Sequence, residues 1–229
     1  MGMKTARMLR GVGLLVGGLV VTACDEGLQV RFAEPFPAQV ADLPAFPARH
    51  RAVYTADDSS SSLCIGRAAV WRQELHSQTL RRSQLDSAHR SLRADTTYAD
   101  NGQLHYLRLL GPDSVRDSWL STDTVFTLVG AEAGKLRQLQ GRYYLSEYDA
   151  DADSWRVQRL EIDGPRLNWQ KFGTDTLRLL ALDAATVRYH RQHGALTAVQ
   201  LTPAPGAQTR RVGRYAGLWE TKGEYVRRR

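Results

Sequence analysis

The sequence lacks most of the motifs by which enzymes and cofactor-binding proteins are recognised. It has no glycine-rich phosphate loop, no dinucleotide-binding glycine pattern and no G-x-S-x-G elbow. It also has no paired C-x-x-C and no H-E-x-x-H motif. The sequence therefore gives no indication of nucleotide chemistry, of serine hydrolysis or of a conventional zinc site, and we expect no cofactor.

Cysteine is scarce as well, with two among 229 residues. Cys24 lies at the end of an N-terminal apolar segment, and Cys64 lies in the apolar stretch Leu63-Cys64-Ile65. If Cys24 is modified, Cys64 has no partner within the chain, so the fold must be held by its core without disulfides. We expect Cys64 to be a small buried hydrophobic residue rather than a reactive thiol.

Lysine is almost absent, although the formal net charge is +7. The lysines are Lys4, Lys135, Lys171 and Lys222, so arginine carries nearly all of the positive charge. A basic excess of this kind is compatible with nucleic-acid binding. However, the arginines are scattered, and only Arg210-Arg211 and Arg227-Arg228-Arg229 form clusters. We attribute the excess to arginine-rich codon usage and expect no nucleic-acid partner.

No apolar run reaches the roughly 20 residues that a membrane-spanning helix needs. The run from Gly11 to Ala23 is shorter, follows a start that carries Lys4, Arg7 and Arg10 without any acid, and ends in small residues. A basic start, a short apolar core and small residues before a cleavage site are the signature of a secretory signal. Removing this segment lowers the formal net charge to +4.

The end of this segment, Val20-Val21-Thr22-Ala23-Cys24, resembles the lipobox of bacterial lipoprotein precursors. In that family a diacylglyceryl group is attached to the cysteine, and the preceding peptide is removed. The resemblance implies that residues 1–23 are a signal peptide, that Cys24 is the lipidated first residue of the mature chain, and that a membrane is a partner through the anchor. An ordinary signal peptide and a buried N-terminal helix are the alternatives.

A second resemblance rests on Phe36-Pro37, on Leu43-Pro44-Ala45-Phe46-Pro47, on the tyrosine strand at Val53-Tyr54 and on Leu63-x-Ile65. These features are similar to a group of lipoproteins of Bacteroidetes-type bacteria, and the similarity extends to Tyr225. The group has no activity attached to it, so only the anchor is implied. Asp25-Glu26 resembles both an inner-membrane retention signal and a surface-export signal. We favour the outer membrane and leave open whether the protein faces the periplasm or the surface.

Four of the eight prolines lie between Pro35 and Pro47. Such a stretch favours extended backbone and acts as a semi-rigid spacer. We therefore interpret residues 24–48 as the lipidated cysteine and a proline-rich tether, and residues 49–229 as the folded domain. The alternative is a proline-bearing segment that packs on the domain through Phe36, Leu43 and Phe46.

From about residue 50 the sequence alternates apolar and polar residues with a period of two. Predicted strands cover residues 103–109, 123–128, 155–162 and 197–201, which are rich in β-branched and aromatic residues. Turn signals separate them at Asn101-Gly102, Gly111-Pro112-Asp113, Asp163-Gly164-Pro165 and His193-Gly194. The pattern predicts an all-β fold, mainly antiparallel, of the meander, barrel or sandwich type.

Two segments depart from this alternation. Ser77 to Ser91 is polar, and we predict a loop with a possible helix. Beyond Thr202-Pro203, apolar residues at Val212, Tyr215 and Trp219 recur at helical spacing, which predicts one short C-terminal helix. Gly206 indicates that this helix begins late.

A weak internal repeat divides the domain into possible halves, 49–134 and 135–229. Leu63-Cys64-Ile65-Gly66 leads to Trp71, and Leu160-Glu161-Ile162-Asp163-Gly164 leads to Trp169. Each unit is predicted to be a strand, a turn and a second strand. The pattern is explained equally well by an eroded duplication and by the general likeness of β-hairpins.

Asp149, Asp151 and Asp153 resemble the beginning of a calcium loop, because that cation needs several oxygens from one tight turn. The resemblance then fails, since Ser154 occupies the glycine position and Leu160 the position of the bidentate glutamate. We favour a solvated acidic hairpin turn over a metal site. His190 and His193 would share a helix face, but the surrounding residues favour a strand and turn.

We therefore expect a lipid-anchored protein of the cell envelope that acts as a non-catalytic binding or structural module, with an envelope protein or a glycan as its partner. The alternatives are a lipocalin-like carrier, which requires an apolar cavity, and a hydrolase built from dispersed carboxylates, which requires at least two convergent acids. The five tryptophans would suit sugar stacking, but core packing is the simpler interpretation.

The lipobox generates a direct prediction. Cys24→Ser removes the thiol that accepts the diacylglyceryl group, so the chain should remain an unlipidated precursor. Labelling cells with a palmitate analogue should mark the wild type and leave the variant unmarked. Equal labelling of the two proteins would contradict the lipoprotein interpretation.

Overall fold

A computed structural model describes residues 28–85 and 94–228, and strands dominate it. The strands are β1 Gln29–Phe32, β2 Ala52–Thr55, β3 Ser61–Ile65, β4 Ala69–Arg81, β5 Thr96–Asp100, β6 Gln103–Leu109, β7 Ser114–Thr127, β8 Lys135–Leu139, β9 Arg142–Asp149, β10 Ser154–Asp163, β11 Arg166–Phe172, β12 Val187–Gln192, β13 Ala195–Leu201 and β14 Trp219–Arg227. The predicted all-β class is confirmed, as are the four strands expected from alternation.

Helical structure is limited to short elements. They are α1 Thr176–Leu180, α2 Ala207–Arg214 and the 3-10 helices Ala48–His50, Arg82–Gln84, Ala184–Thr186 and Ala216–Leu218. The predicted C-terminal helix is α2; it begins after Gly206 and ends at Arg214, so Trp219 already belongs to β14. The single turn α1, capped by the Asp175 carboxylate, was not predicted. Among the described residues, no helix has the length and apolarity to cross a membrane.

The strands form one large sheet in the order β12-β13-β1-β10-β11-β14-β2-β3-β4-β7-β6-β5, and β9 and β8 extend it from the other edge of β10. Most neighbours are antiparallel, while β1 runs parallel to β13. The sheet is therefore mixed, and it does not close into a barrel. A backbone hydrogen bond joins the end of β7 to the residue before β8: Gly134 N–H donates to the carbonyl of Thr127 (2.8 Å).

The main core lies inside the curve of this sheet. Its buried side chains come from nine strands and from the segment before β2: Phe46, Tyr54, Leu63, Ile65, Val70, Phe126, Leu136, Tyr143, Leu145, Leu160, Leu167, Trp169 and Tyr225. Alternate residues of each strand point to the same side, so the odd-numbered positions of β9 enter this core. We call the strands that enclose this core the body: β2, β3, β8, β9, β10, β11, β14 and the adjoining parts of β4 and β7.

A second core lies on the opposite face of β9 and β10. Tyr144 and Val157 pack there against Phe32, Phe36 and helix α2. The same face holds the guanidinium of Arg159, which is 3% exposed. Arg159 donates to Gln170 Oε1 and to the carbonyl of Gly213 (2.7 Å each), and its guanidinium lies 4.5 Å from the centre of the Trp219 ring. Burial lowers the pKa of Arg159.

The long strands β4 and β7 continue beyond the body and, with β6 and β5, form an arm of four antiparallel strands. Its own small core contains Leu85, Leu107 and Val115. Residues 77–81 belong to β4, so the loop predicted from Ser77 is wrong there. Both faces of this stretch are partly exposed, so its sequence lacks the alternation typical of a strand. Residues 86–91 of that prediction lie outside the described residues.

The proline-rich segment is part of the folded domain, and the tether interpretation does not apply to residues 28–48. Phe36 and Phe46 are buried, at 1% and 0% exposure, in the two cores. Arg137 holds the segment by donating to the carbonyls of Pro35 and Pro37 and to the Asp42 carboxylate. The alternative that the aromatic residues suggested therefore describes this segment.

The two predicted repeat units form similar meanders, β2-β3-β4 and β9-β10-β11, on the two sides of β14. In each, an isoleucine before the turn pairs with an apolar residue after it, Ile65 with Val70 and Ile162 with Leu167. Trp169 is buried, however, whereas Trp71 is 37% exposed. Duplication remains a prediction.

The burial of Phe46 generates a prediction about stability. Phe46→Ala should lower the free energy of unfolding by about 3–5 kcal/mol, because it leaves a cavity in the main core. Leu104→Ala, at a position that is 63% exposed, is the control and should change it by less than about 0.5 kcal/mol. Urea unfolding followed by tryptophan fluorescence measures both. Equal stability of the two variants would show that the segment is not part of the core.

Candidate functional site

The candidate site is a cleft at the end of the body where the main core gives way to charged side chains. Along β9 the inward residues Tyr143 and Leu145 are followed by Glu147, and along β10 Leu160 is followed by Gln158. The resulting cleft has a volume of about 600 Å³ and is walled on the other side by β4 and β7. Its volume is in the range of small-ligand sites.

Two β-bulges direct side chains into this cleft. One lies in the β11–β14 ladder, where Trp169 pairs with Gly223 and Gln170 with Thr221, so Lys222 is the extra residue. The other lies in the β4–β7 ladder and leaves Val125 as the extra residue. Bulges re-aim side chains next to functional sites. Both bulged residues line the cleft.

Positive charge predominates around the cleft. The lining carries five cationic side chains and two carboxylates: Arg31, Arg72, Arg156, Lys171 and Lys222 against Asp123 and Glu147. Four of these cations also pair with acids: Arg31 and Arg156 with Asp149 (3.2 and 4.0 Å), Arg72 with Glu74 (3.0 Å) and Lys171 with Glu220 (3.4 Å).

Lys222 is the most distinctive of these cations. Its ammonium lies 4.1 Å from the centre of the Trp169 ring, a cation–π contact. Desolvation lowers the pKa of Lys222, and the nearby charges of Lys171 and Arg72 lower it further. Because like charges gather here, an anion bound between them would gain electrostatic stabilisation from all three. The side chain remains more than a third exposed, so an incoming ligand can reach it.

Glu147 is the half-buried carboxyl of the cleft. Desolvation raises the pKa of Glu147, and a hydrogen bond from Gln158 Nε2 (3.1 Å) partly opposes this shift. The same Gln158 accepts from the indole N–H of Trp169 (2.8 Å), so the amide orientation is fixed. Indole, amide and carboxyl thus form a preorganised polar row beside the cations. Such a row suits a ligand that carries hydroxyl groups in addition to an acid.

The cleft combines several cations with one desolvated carboxyl, that of Glu147. Of the described carboxyls with a shifted pKa, only that of Glu147 is raised. A hydrolase with two carboxylates requires a second acid whose environment separates its pKa from the first. The arrangement therefore favours binding of an anionic, hydrogen-bonding ligand.

The residues singled out from sequence lie mostly elsewhere. Cys24, the expected lipidation site, lies outside the described residues. In the acidic turn, Asp149 pairs with Arg31 and Asp153 accepts from the Tyr148 hydroxyl (2.7 Å), while Asp151 borders a separate surface cleft with His190. Across residues 28–85 and 94–228, no three His, Cys, Asp or Glu side chains group in a way that could hold a metal ion.

The other residues that the sequence singled out include His190, His193 and Cys64, which lie in strands or turns. His190 lies in β12, and His193 has a φ of 49° in the turn before Gly194. Cys64 is half-buried rather than fully buried; its thiol contacts Gln73 Oε1 (3.4 Å), and burial raises the pKa of the thiol. Of the tryptophans, Trp169 and Trp219 pack in the cores.

Sequence reasoning did not find Glu147 or Lys222, since 75 residues of chain separate them. One signal was nonetheless present. Lysine is rare in this chain, and two of the three lysines after the signal segment, Lys171 and Lys222, line this cleft. The third, Lys135, pairs with Asp42 at a distance of 3.3 Å.

Comparisons with known proteins found no match to a family model, to a curated protein or to a solved structure.

The raised pKa of Glu147 generates a prediction about pH. Because the folded-state pKa lies above the ordinary 4.5, the folded protein binds this proton more tightly than the unfolded chain, and stability falls as pH rises above 4.5. Glu147→Gln should therefore raise the melting temperature at pH 7 and leave it unchanged at pH 4. Glu224→Gln, at an exposed position, is the control. A lower melting temperature for Glu147→Gln at pH 7 would contradict the assignment.

Proposed function

We propose that the protein is a lipid-anchored component of the bacterial cell envelope whose body binds the acidic group of an envelope glycan without chemical conversion. The lipobox at Cys24 supports the anchor, with the outer membrane as the favoured location. The charged cleft supports the binding role. The single observation that carries this role is the cluster of Lys222, Lys171 and Arg72 beside the half-buried Glu147 and Trp169.

A glycan fits the cleft better than a protein partner or a nucleic acid does. A carboxylate or phosphate satisfies the cations, and sugar hydroxyls can donate to Glu147 and accept from Gln158. The site is a cleft of about 600 Å³, whereas protein partners usually use broad, flat surfaces. Nucleic acid is not proposed, because the cations surround one cleft instead of forming a stripe along the surface.

The two alternatives are less well supported. An apolar carrier requires an apolar cavity with few polar groups, whereas this cleft is lined by seven charged side chains. A hydrolase requires convergent carboxylates, and Glu147 faces cations and an amide. We therefore propose a binding module in place of a carrier or an enzyme.

The proposal predicts binding of an acidic monosaccharide. Isothermal titration of the folded protein should show that glucuronate binds and that glucose does not, and the affinity should fall as salt is added, because screening weakens charge contacts. Lys222→Gln should weaken glucuronate binding by about tenfold, the loss expected for one charge-assisted hydrogen bond.

Lys135→Gln provides the matched control, because it removes the same charge outside the cleft. This variant should bind glucuronate as the wild type does. The sugar should also be recovered unchanged after incubation. Equal losses in the two lysine variants would show that net charge, and not the cleft, governs binding.

A further inference from the structure

The cleft opens directly onto one face of the arm. Arg72 and Asp123, which line the cleft, are paired across β4 and β7. Two residues further along each strand the pair is Glu74 and Ser121, and two further it is His76 and Trp119. Since residues at spacing two share a face of a sheet, these pairs form one surface. Because a β-strand rises by about 3.3 Å per residue, His76 lies about 13 Å along β4 from Arg72.

At this distance a ladder of rings crosses the whole arm. The rings of His76 and Trp119 stack at 5.2 Å with 16° between their planes, and those of Trp119 and His105 stack at 5.0 Å and 23°. Tyr98 follows His105 at 4.9 Å. The four residues come from β4, β7, β6 and β5 in turn. We call them the ring ladder.

At Trp119 the part of the ladder that is open to solvent is a ring edge. Imidazoles cover both faces of the Trp119 indole, and the indole remains partly exposed. The edge of an aromatic ring is electropositive, while its face is electronegative. The Ser121 hydroxyl, 2.9 Å from His76 Nε2, lies beside these edges. A row of ring edges and hydroxyls suits the oxygen-rich rim of a sugar.

Hydrogen bonds to one buried carboxylate position two members of the ladder, Tyr98 and His105. The Asp117 carboxylate, 1% exposed, is 2.9 Å from His105 Nδ1 and accepts from the Tyr98 hydroxyl and from Gln78 Nε2 (3.3 Å each). Burying a carboxylate is unfavourable unless several donors satisfy it. The next apolar row of the same face is Leu80 beside Val115. The ring ladder therefore adds a polar, hydrogen-bonded row beside an apolar one.

We propose that the binding site continues from the cleft along this face of the arm, and that the ligand is an oligosaccharide chain. An acidic unit occupies the cleft, and the following units lie over Glu74 and Ser121 to reach the ring ladder at Trp119. This inference rests on the proposed function of the cleft and adds to it that the ligand is a chain. The arm then serves as an extended subsite instead of a mere extension of the sheet.

The test compares chain lengths. Hyaluronan, alginate and oligogalacturonate fragments of two and six units are titrated into the full folded domain. In at least one series the hexamer should bind about tenfold more tightly than the dimer, the gain expected from one further aromatic contact. Trp119→Leu should abolish that gain and leave dimer affinity unchanged, because the dimer occupies only the cleft. Retained dimer binding also shows that the body of the variant is folded.

Two further variants complete the design. Tyr106→Ala removes an exposed aromatic residue from the opposite face of the arm and should retain the full gain. His76→Gln keeps a hydrogen-bonding group and shortens the ladder by one ring, so it should reduce the gain without abolishing it. A gain that survives Trp119→Leu, or hexamers that bind no more tightly than dimers in all three series, would overturn the inference while leaving the cleft intact.

Other outcomes separate the two proposals. Absence of dimer binding in every series would reject the proposed function of the cleft itself. A polyglutamate peptide of matched charge that binds equally tightly, with the same dependence on Trp119, would replace the glycan by an acidic peptide and overturn the ligand class.

Discussion

The pairing of β9 with β10 is the interaction on which the rest of the structure depends. Four consecutive residues of β9, from Tyr143 to Ser146, are buried, so this strand needs a core on each of its faces. One face receives the curved sheet, and the other receives the N-terminal segment and α2. Arg159 and the Tyr144 hydroxyl both donate to the carbonyl of Gly213, so the end of α2 is tied to the sheet at its most buried point.

The cleft follows from the same strand. After Ser146 the inward position is occupied by Glu147, where the main core ends. The carboxyl is desolvated because the surrounding body excludes water, and this is why burial raises its pKa. The bulge at Lys222 then brings an ammonium to the Trp169 ring on the same cleft. The apolar packing of the body therefore determines how strongly the Glu147 carboxyl is desolvated.

What the sequence predicted correctly was local. Period-two alternation and turn residues such as Asn101-Gly102 act within a few residues, so the strands and hairpins followed from them. The parallel contact of β1 with β13 joins residues almost 170 positions apart, and no local pattern encodes it. The burial of Phe36 and the cleft around Glu147 depend on the same kind of distant pairing. The proline count suggested a spacer, whereas the neighbouring phenylalanines determined where the segment lies.

Arginine and lysine make different kinds of contact in this structure, and this difference relates the composition of the chain to the cleft. Arginine forms the ion pairs and carbonyl contacts that fix strands, as Arg137 and Arg142 do, because its planar fork makes several directed hydrogen bonds. Lysine, a compact charge on a flexible stem, suits a ligand that arrives from solvent. If the cleft binds an acid, the rarity of lysine is not merely codon usage. In that case Lys222 occupies a position where a mobile charge serves better than a fixed one.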